Sequence, residues 1–205
     1  MNFITGISSI RHQRISIDKD MVFQDASSSL DIFLSGAYDA LKSGYPKFYK
    51  MDRLAQLGFL ASEVLLKKWS IKSYLGESVA LVLSNAHSSL DTDIRFHESI
   101  VMGASPSLFV YTLPNIVAGE ICIRHGIKGE NAFFVTPSFD PHMISSYVDQ
   151  VLRQPHIQAC VAGWIDVMNG HHDVFLYLAE KEKRGLGLEH NPNELTTLYE
   201  GIWKS

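Results

Sequence analysis

The spacing of apolar residues changes period several times along the chain, and each change marks an element. Ser78-Val79-Ala80-Leu81-Val82-Leu83 is an unbroken apolar run of strand length, the pattern of a strand covered on both faces of a sheet. Phe3-Ile4-Thr5-Gly6-Ile7 reads as a short strand ending near a glycine, and residues 132–136 as a third apolar strand. Over residues 51–68, Leu54, Leu57, Ala61, Val64 and Leu65 recur at spacings of three and four, which draws one apolar stripe along a helix. Residues 30–41 can form another helix and residues 91–100 a short one. Pro114 can open a helix running to about His125, because proline is tolerated in the first helical turn; Gly126 and Gly129 then break the chain. Asp140-Pro141 is a helix start, with aspartate as cap and proline at the first position. Met143, Ile144, Tyr147, Val148, Val151 and Leu152 supply that helix with its buried face. Residues 159–165 and 174–179 are two further strands, joined around the turn signal Asn169-Gly170. The stretch from Arg11 to Ser29 is polar and reads as irregular. A weak helix from about Asn193 to Trp203 closes the chain.

Strands that alternate with helices argue for an α/β layered domain with a mainly parallel sheet. The last two strands, joined by a short turn, are expected to be antiparallel neighbours. No repeat, low-complexity segment or linker divides the sequence, so one domain is expected over residues 1–205. That length is enough to bury a substantial core.

Composition narrows the class but not the function. Apolar residues make up 46% of the chain and charged residues 20%, as in ordinary soluble globular proteins. A net charge of −4, with no stripe of Lys and Arg, gives no electrostatic footprint for nucleic acid. The two cysteines, Cys122 and Cys160, sit inside apolar runs and read as buried structural thiols, which fits a reducing compartment. The first residues show no secretory-signal pattern, and no apolar run approaches the roughly 20 residues of a membrane span. A cytoplasmic protein with no membrane span is the expectation.

The sequence's chemistry is sparse. Gly185-Leu186-Gly187 is too short for a dinucleotide fingerprint, and no phosphate-binding loop with its lysine is present. His171 and His172 are adjacent, so on a strand they point to opposite faces and chelate one ion poorly. Asp91, Asp93 and His97, and likewise Asp140 and His142, lack a recognised ligand pattern and read as caps and loop residues. No G-x-S-x-G elbow marks a hydrolase serine. Neither a metal nor a cofactor is expected.

Four segments in order resemble the N-terminal half of β-ketoacyl synthases. Phe3-Ile4-Thr5-Gly6-Ile7 is similar to that family's first strand, and Tyr49-Lys50-Met51-Asp52-Arg53 to the entry of its second helix. Ser105-Pro106 and Leu113-Pro114-Asn115-Ile116-Val117-Ala118-Gly119-Glu120-Ile121 resemble the stretch leading to the nucleophile strand. It continues through His125-Gly126-Ile127-Lys128-Gly129-Glu130-Asn131, where Glu130 replaces the proline of a Gly-Pro pair. The resemblance covers about residues 1–180. It implies a thiolase-like half-fold: a five-stranded, mostly parallel sheet covered by helices, its last two strands antiparallel.

The same resemblance places a departure at the chemical centre. The family's nucleophilic cysteine ends a T-A-C motif, and here Thr136-Pro137-Ser138 stands in its place. A helix N-terminus can acidify a thiol there; a serine needs an adjacent base. The family's catalytic histidines belong to a C-terminal half that these residues do not include. Ser138 is therefore expected to be inactive, a buried serine capping its own helix, with Phe134, Thr136 and Phe139 lining an acyl tunnel or vestigial site. Phe133 fits such a wall or an ordinary core.

These features imply a non-catalytic, chain-length-factor-like subunit that assists fatty acid, polyene or polyketide elongation, short synthase-like proteins also occurring with aryl-polyene pathways. Its partners would be a full-length ketosynthase, or a second copy of itself, and acyl carrier protein. An isolated half should leave residues 143–152, or the region around 108–113, in need of cover. The alternatives are a Ser138-dependent acyltransferase or thioesterase acting on acyl thioesters, and an acyl or carrier-protein binding module.

Overall fold

A computed structural model describes residues 1–26, 29–101 and 103–201. In chain order the strands are β1 (Phe3–Arg11), β2 (Arg14–Ile17), β3 (Asp20–Gln24), β4 (Val79–Asn85), β5 (Asn131–Val135), β6 (Ala159–Met168), β7 (His171–Glu180) and β8 (Leu188–Glu189). The α-helices are α1 (Leu30–Leu41), α2 (Arg53–Lys68), α3 (Leu90–Ile100), α4 (Pro106–Val110), α5 (Ile116–His125), α6 (Pro141–Leu152) and α7 (Pro192–Gly201). Trp203, the expected end of the last helix, lies outside the described residues.

The strands lie side by side as β3-β2-β1-β7-β6-β4-β5, with β8 against β1. β4 pairs parallel with β5 and β6, while β7 runs antiparallel to β6 and to β1. Within the five long-range strands β1, β4, β5, β6 and β7, only β7 is therefore reversed. That is the mostly parallel half-fold with an antiparallel final pair. The sheet is wider than expected, because residues 14–24 form a hairpin on β1 and do not run irregularly. β2 buries Ile15 and Ile17 on alternate positions, and β3 is largely exposed. So short and polar an edge gives little apolar signal.

Side chains of β4 divide between two cores, as a period of two requires. Leu81 and Leu83 face α1, α2 and α5, whereas Ala80 and Val82 face α6 and α7. α2 fits closely beneath α5, since a Cβ on Gly58 would lie 2.5 Å from Val117 Cγ2. Gly163, with φ of +150°, lets β6 approach β7: a Cβ there would stand 2.0 Å from the Phe175 carbonyl.

Polar anchors fix the helix starts. Asp52 caps α2 by accepting from Ala55 N at 2.9 Å and also accepts from the Thr92 hydroxyl, tying α2 to α3. Burial pushes its carboxyl up to about 6. On the other face, His190 Nδ1 bonds Asp149 on α6 at 2.9 Å and its Nε2 lies 3.3 Å from the Tyr177 hydroxyl. These bonds hold the segment that carries α7 against α6, so the chain's own last helix covers this face. The residues α6 buries are Ile144, Ser145, Val148, Val151 and Leu152. The region around 108–113 remains uncovered: Phe109, Val110 and Leu113 are 61, 53 and 58% exposed.

Candidate functional site

β1, β4, β5 and β6 end at one edge of the domain, where β7 begins. Ligands of open α/β sheets sit beyond the carboxyl ends of such strands. Two loops leave adjacent strands there.

The first follows β5 and carries Ser138. Thr136 continues the ladder by donating its N–H to Asn85 O at 2.9 Å. The Thr136 hydroxyl then donates to the Ser138 carbonyl at 2.9 Å, which turns the chain. Phe139 is buried among Trp164, Phe175 and Tyr199; it stacks on Tyr199 with ring centroids 4.5 Å apart. Asp140 caps α6, its carboxylate accepting from His142 N at 3.0 Å and Met143 N at 2.9 Å. Phe134 lies edge-on to Tyr147 of α6, 4.9 Å between centroids.

Ser138 differs from the reading of a buried capping serine. It is exposed, and Asp140 takes the capping role two residues later. The physical reason is Pro141: it sets the first helical turn and leaves Asp140 at the capping position, so Ser138 stays outside the helix. Among the described residues, no base is hydrogen-bonded to the Ser138 hydroxyl.

The second loop follows β4. Asp166, on β6, reaches across and accepts from Ala86 N at 3.0 Å and from His87 N at 3.1 Å through one oxygen. Its other oxygen accepts from His87 Nδ1 at 2.8 Å. Around this pair opens a pocket of about 320 Å³, lined also by His12, Gln13, His171, His172 and Asp173. Asp173 is held by Arg11 and by the Tyr199 hydroxyl, and the Arg11 guanidinium lies 4.4 Å from the Tyr199 ring centre. Phe139 and Asp173 thus meet on the same tyrosine.

Sequence reasoning missed the His87–Asp166 pair because 79 positions separate them. The one available signal was a carboxylate inside the apolar run Trp164-Ile165-Asp166-Val167. Both His171 and His172 line this pocket; His171 is exposed, whereas His172 stacks on Phe33 of α1, and burial lowers its pKa. Among the described residues no three His, Cys, Asp or Glu side chains gather to hold a metal ion. Cys160 is buried and Cys122 partly so; burial pushes the Cys122 thiol up to about 11. No described helix is long and apolar enough to cross a membrane.

No family model and no curated protein matches the sequence. Solved structures match the fold. The chain is similar to one described as the ishigamide ketosynthase/chain length factor, with a TM-score of 0.60 and 18% identity, over 88% of this chain and 62% of that one. It is similar to a β-ketoacyl synthase from Burkholderia phymatum STM815, with a TM-score of 0.58 and 11% identity, over 88% of this chain and 59% of that one. The chain therefore spans less than two thirds of either. A third similar structure is the ketosynthase ApeO in complex with its chain length factor ApeC from Xenorhabdus doucetiae: TM-score 0.57, 10% identity, 100% of this chain and 92% of the matched chain. Those two chains are of comparable length. At such identities the likeness is one of fold, and the fold is ketosynthase-like.

Proposed function

We propose that this chain is a chain-length-factor-like subunit, which assembles with a ketosynthase and assists elongation of acyl chains carried as thioesters on acyl carrier protein in fatty acid, polyene or polyketide assembly. The observation that carries this reading is the exposure of Ser138: the serine that the resemblance assigns to the nucleophile position has, among the described residues, no base hydrogen-bonded to its hydroxyl. A helix N-terminus contributes about 0.3–2 kcal/mol to a nearby anion, and one pKa unit corresponds to about 1.4 kcal/mol. That is far too little to ionise a hydroxyl at neutral pH. The condensation chemistry then belongs to the partner, and Phe134, Thr136 and Phe139 form a wall of the acyl site.

Two surface features support a partner. β5 lies at the end of the sheet, and an open edge is a template for another strand. Phe109, Val110 and Leu113 add exposed apolar area around α4, of the kind that marks an interface. The test is co-expression with the ketosynthases of the same organism, read by the mass of the purified species and the length of the acyl product. A stoichiometric complex with altered product length is expected, unchanged in Ser138→Ala. A covalent acyl adduct on Ser138 would replace this reading with an acyltransferase or thioesterase.

A further inference from the structure

We propose that the pocket bounded by the β1–β2 turn, the loop after β4 and the β6–β7 turn is a hydrolytic site for short acyl thioesters, with His87 as general base and Asp166 as the residue that positions it. Only the choice of a thioester rests on the carrier-protein reading above.

The geometry resolves the roles of the two nitrogens of His87. A carboxylate only accepts, so the proton of the bond to Asp166 sits on His87 Nδ1, and in the neutral ring the lone pair is on Nε2. Anchoring the loop needs only one oxygen of Asp166, which already takes both backbone N–H groups. The second oxygen is spent on the orientation of the ring. This is the base-and-orienter arrangement of nucleophilic and hydrolytic sites. His87 is 42% exposed, so water reaches it.

The ring of a second histidine that lines the pocket is fixed as well. His172 Nδ1 donates to Gly170 O at 3.2 Å, which leaves Nε2 as an acceptor, and that atom is buried without a partner. Desolvation keeps the ring neutral. The cavity, about 320 Å³, is of a size for a small ligand, with Met168 and Gly170 as its apolar surface. A short acyl group matches that volume.

In the reaction His87 Nε2 accepts a proton from water as the water oxygen bonds to the thioester carbonyl carbon. The tetrahedral intermediate collapses with cleavage of the C–S bond, and the imidazolium returns its proton to the departing thiolate. One thioester and one water give one carboxylic acid and one thiol. The titratable and charged groups that face the pocket are Asp166 from β6, Asp173, His171 and His172 from β7, His12 from the β1–β2 turn, and Arg11 behind Asp173.

The test is hydrolysis of S-acetyl-N-acetylcysteamine by the purified chain, followed by thiol release. Wild type should exceed an equal concentration of free imidazole, with a rate that rises with pH to a plateau. His87→Gln should lower kcat by about 100-fold or more, the usual scale of a lost general base, and remove the pH dependence. Asp166→Asn keeps an acceptor for the loop and should lower kcat about tenfold with KM unchanged. Ser138→Ala should leave the rate intact. Wild type no faster than imidazole, His87→Gln equal to wild type, or loss of activity in Ser138→Ala would each overturn the proposal. A chain that hydrolyses the probe yet binds no ketosynthase removes the subunit reading alone; binding without hydrolysis removes only this site.

Discussion

The loops after β4 and β5 leave neighbouring parallel strands, yet they are secured in opposite ways. After β5 the anchors stand on either side of the serine: Thr136 on the ladder, Phe139 in the aromatic cluster and Asp140 on the helix end. Ser138 itself is left in solvent. After β4 the anchor is the polar group itself, since Asp166 grips the backbone and the imidazole of His87 together. A side chain performs proton transfer only where its orientation is fixed beforehand. The Ser138 loop is thus a well-anchored scaffold with no base hydrogen-bonded to the serine among the described residues, while the proposed base lies one strand away.

This contrast sets an order of expected effects. Phe139→Ala should be the most damaging, because it removes a buried ring packed on three aromatic neighbours. A loss of about 3–5 kcal/mol is expected from denaturant unfolding; a loss below about 1 would mean that the loop does not hang on this residue. Asp166→Ala leaves two backbone donors and an imidazole without their acceptor. About 1–3 kcal/mol is expected, and Asp166→Asn should recover most of it in the same unfolding series.

Asp140→Ala removes the α6 cap and should cost about 1 kcal/mol. Thermal unfolding at matched pH checks it, and no shift would return the capping role to another residue. Ser138→Ala should change stability by less than about 0.5 kcal/mol, as for a surface position. A loss as large as that of Asp140→Ala would show that the serine is part of the scaffold after all.

Much of the fold was legible because its signals are local. The run 78–83 announced a strand buried on both faces, and all seven residues of β4 are buried. Asp140-Pro141 announced the α6 start, and Asn169-Gly170 the β6–β7 turn, where both residues adopt positive φ. The β2–β3 hairpin was not legible: its turn around Asp18-Lys19 lacks glycine, and only Ile15 and Ile17 alternate with polar residues. At the site, Thr136, Ser138 and Phe139 lie in the loop between β5 and α6. The exposure of Ser138 did not follow from its register, because one proline three positions later moves the helix start. The partnership of His87 with Asp166 is set by strand order, and the local sequence hints at it only through a carboxylate inside an apolar run.

The central claim, that this chain is a partner subunit, rests most directly on mass. Native mass spectrometry should be recorded on the chain co-expressed with a ketosynthase of its own organism, as wild type and as Phe109→Asp with Leu113→Asp. Both positions are exposed, so the double variant should keep the wild-type melting temperature. Wild type is expected to give a one-to-one heterodimer and the variant a free chain. A wild-type chain that stays alone, or a variant that binds as well as wild type, would contradict the account.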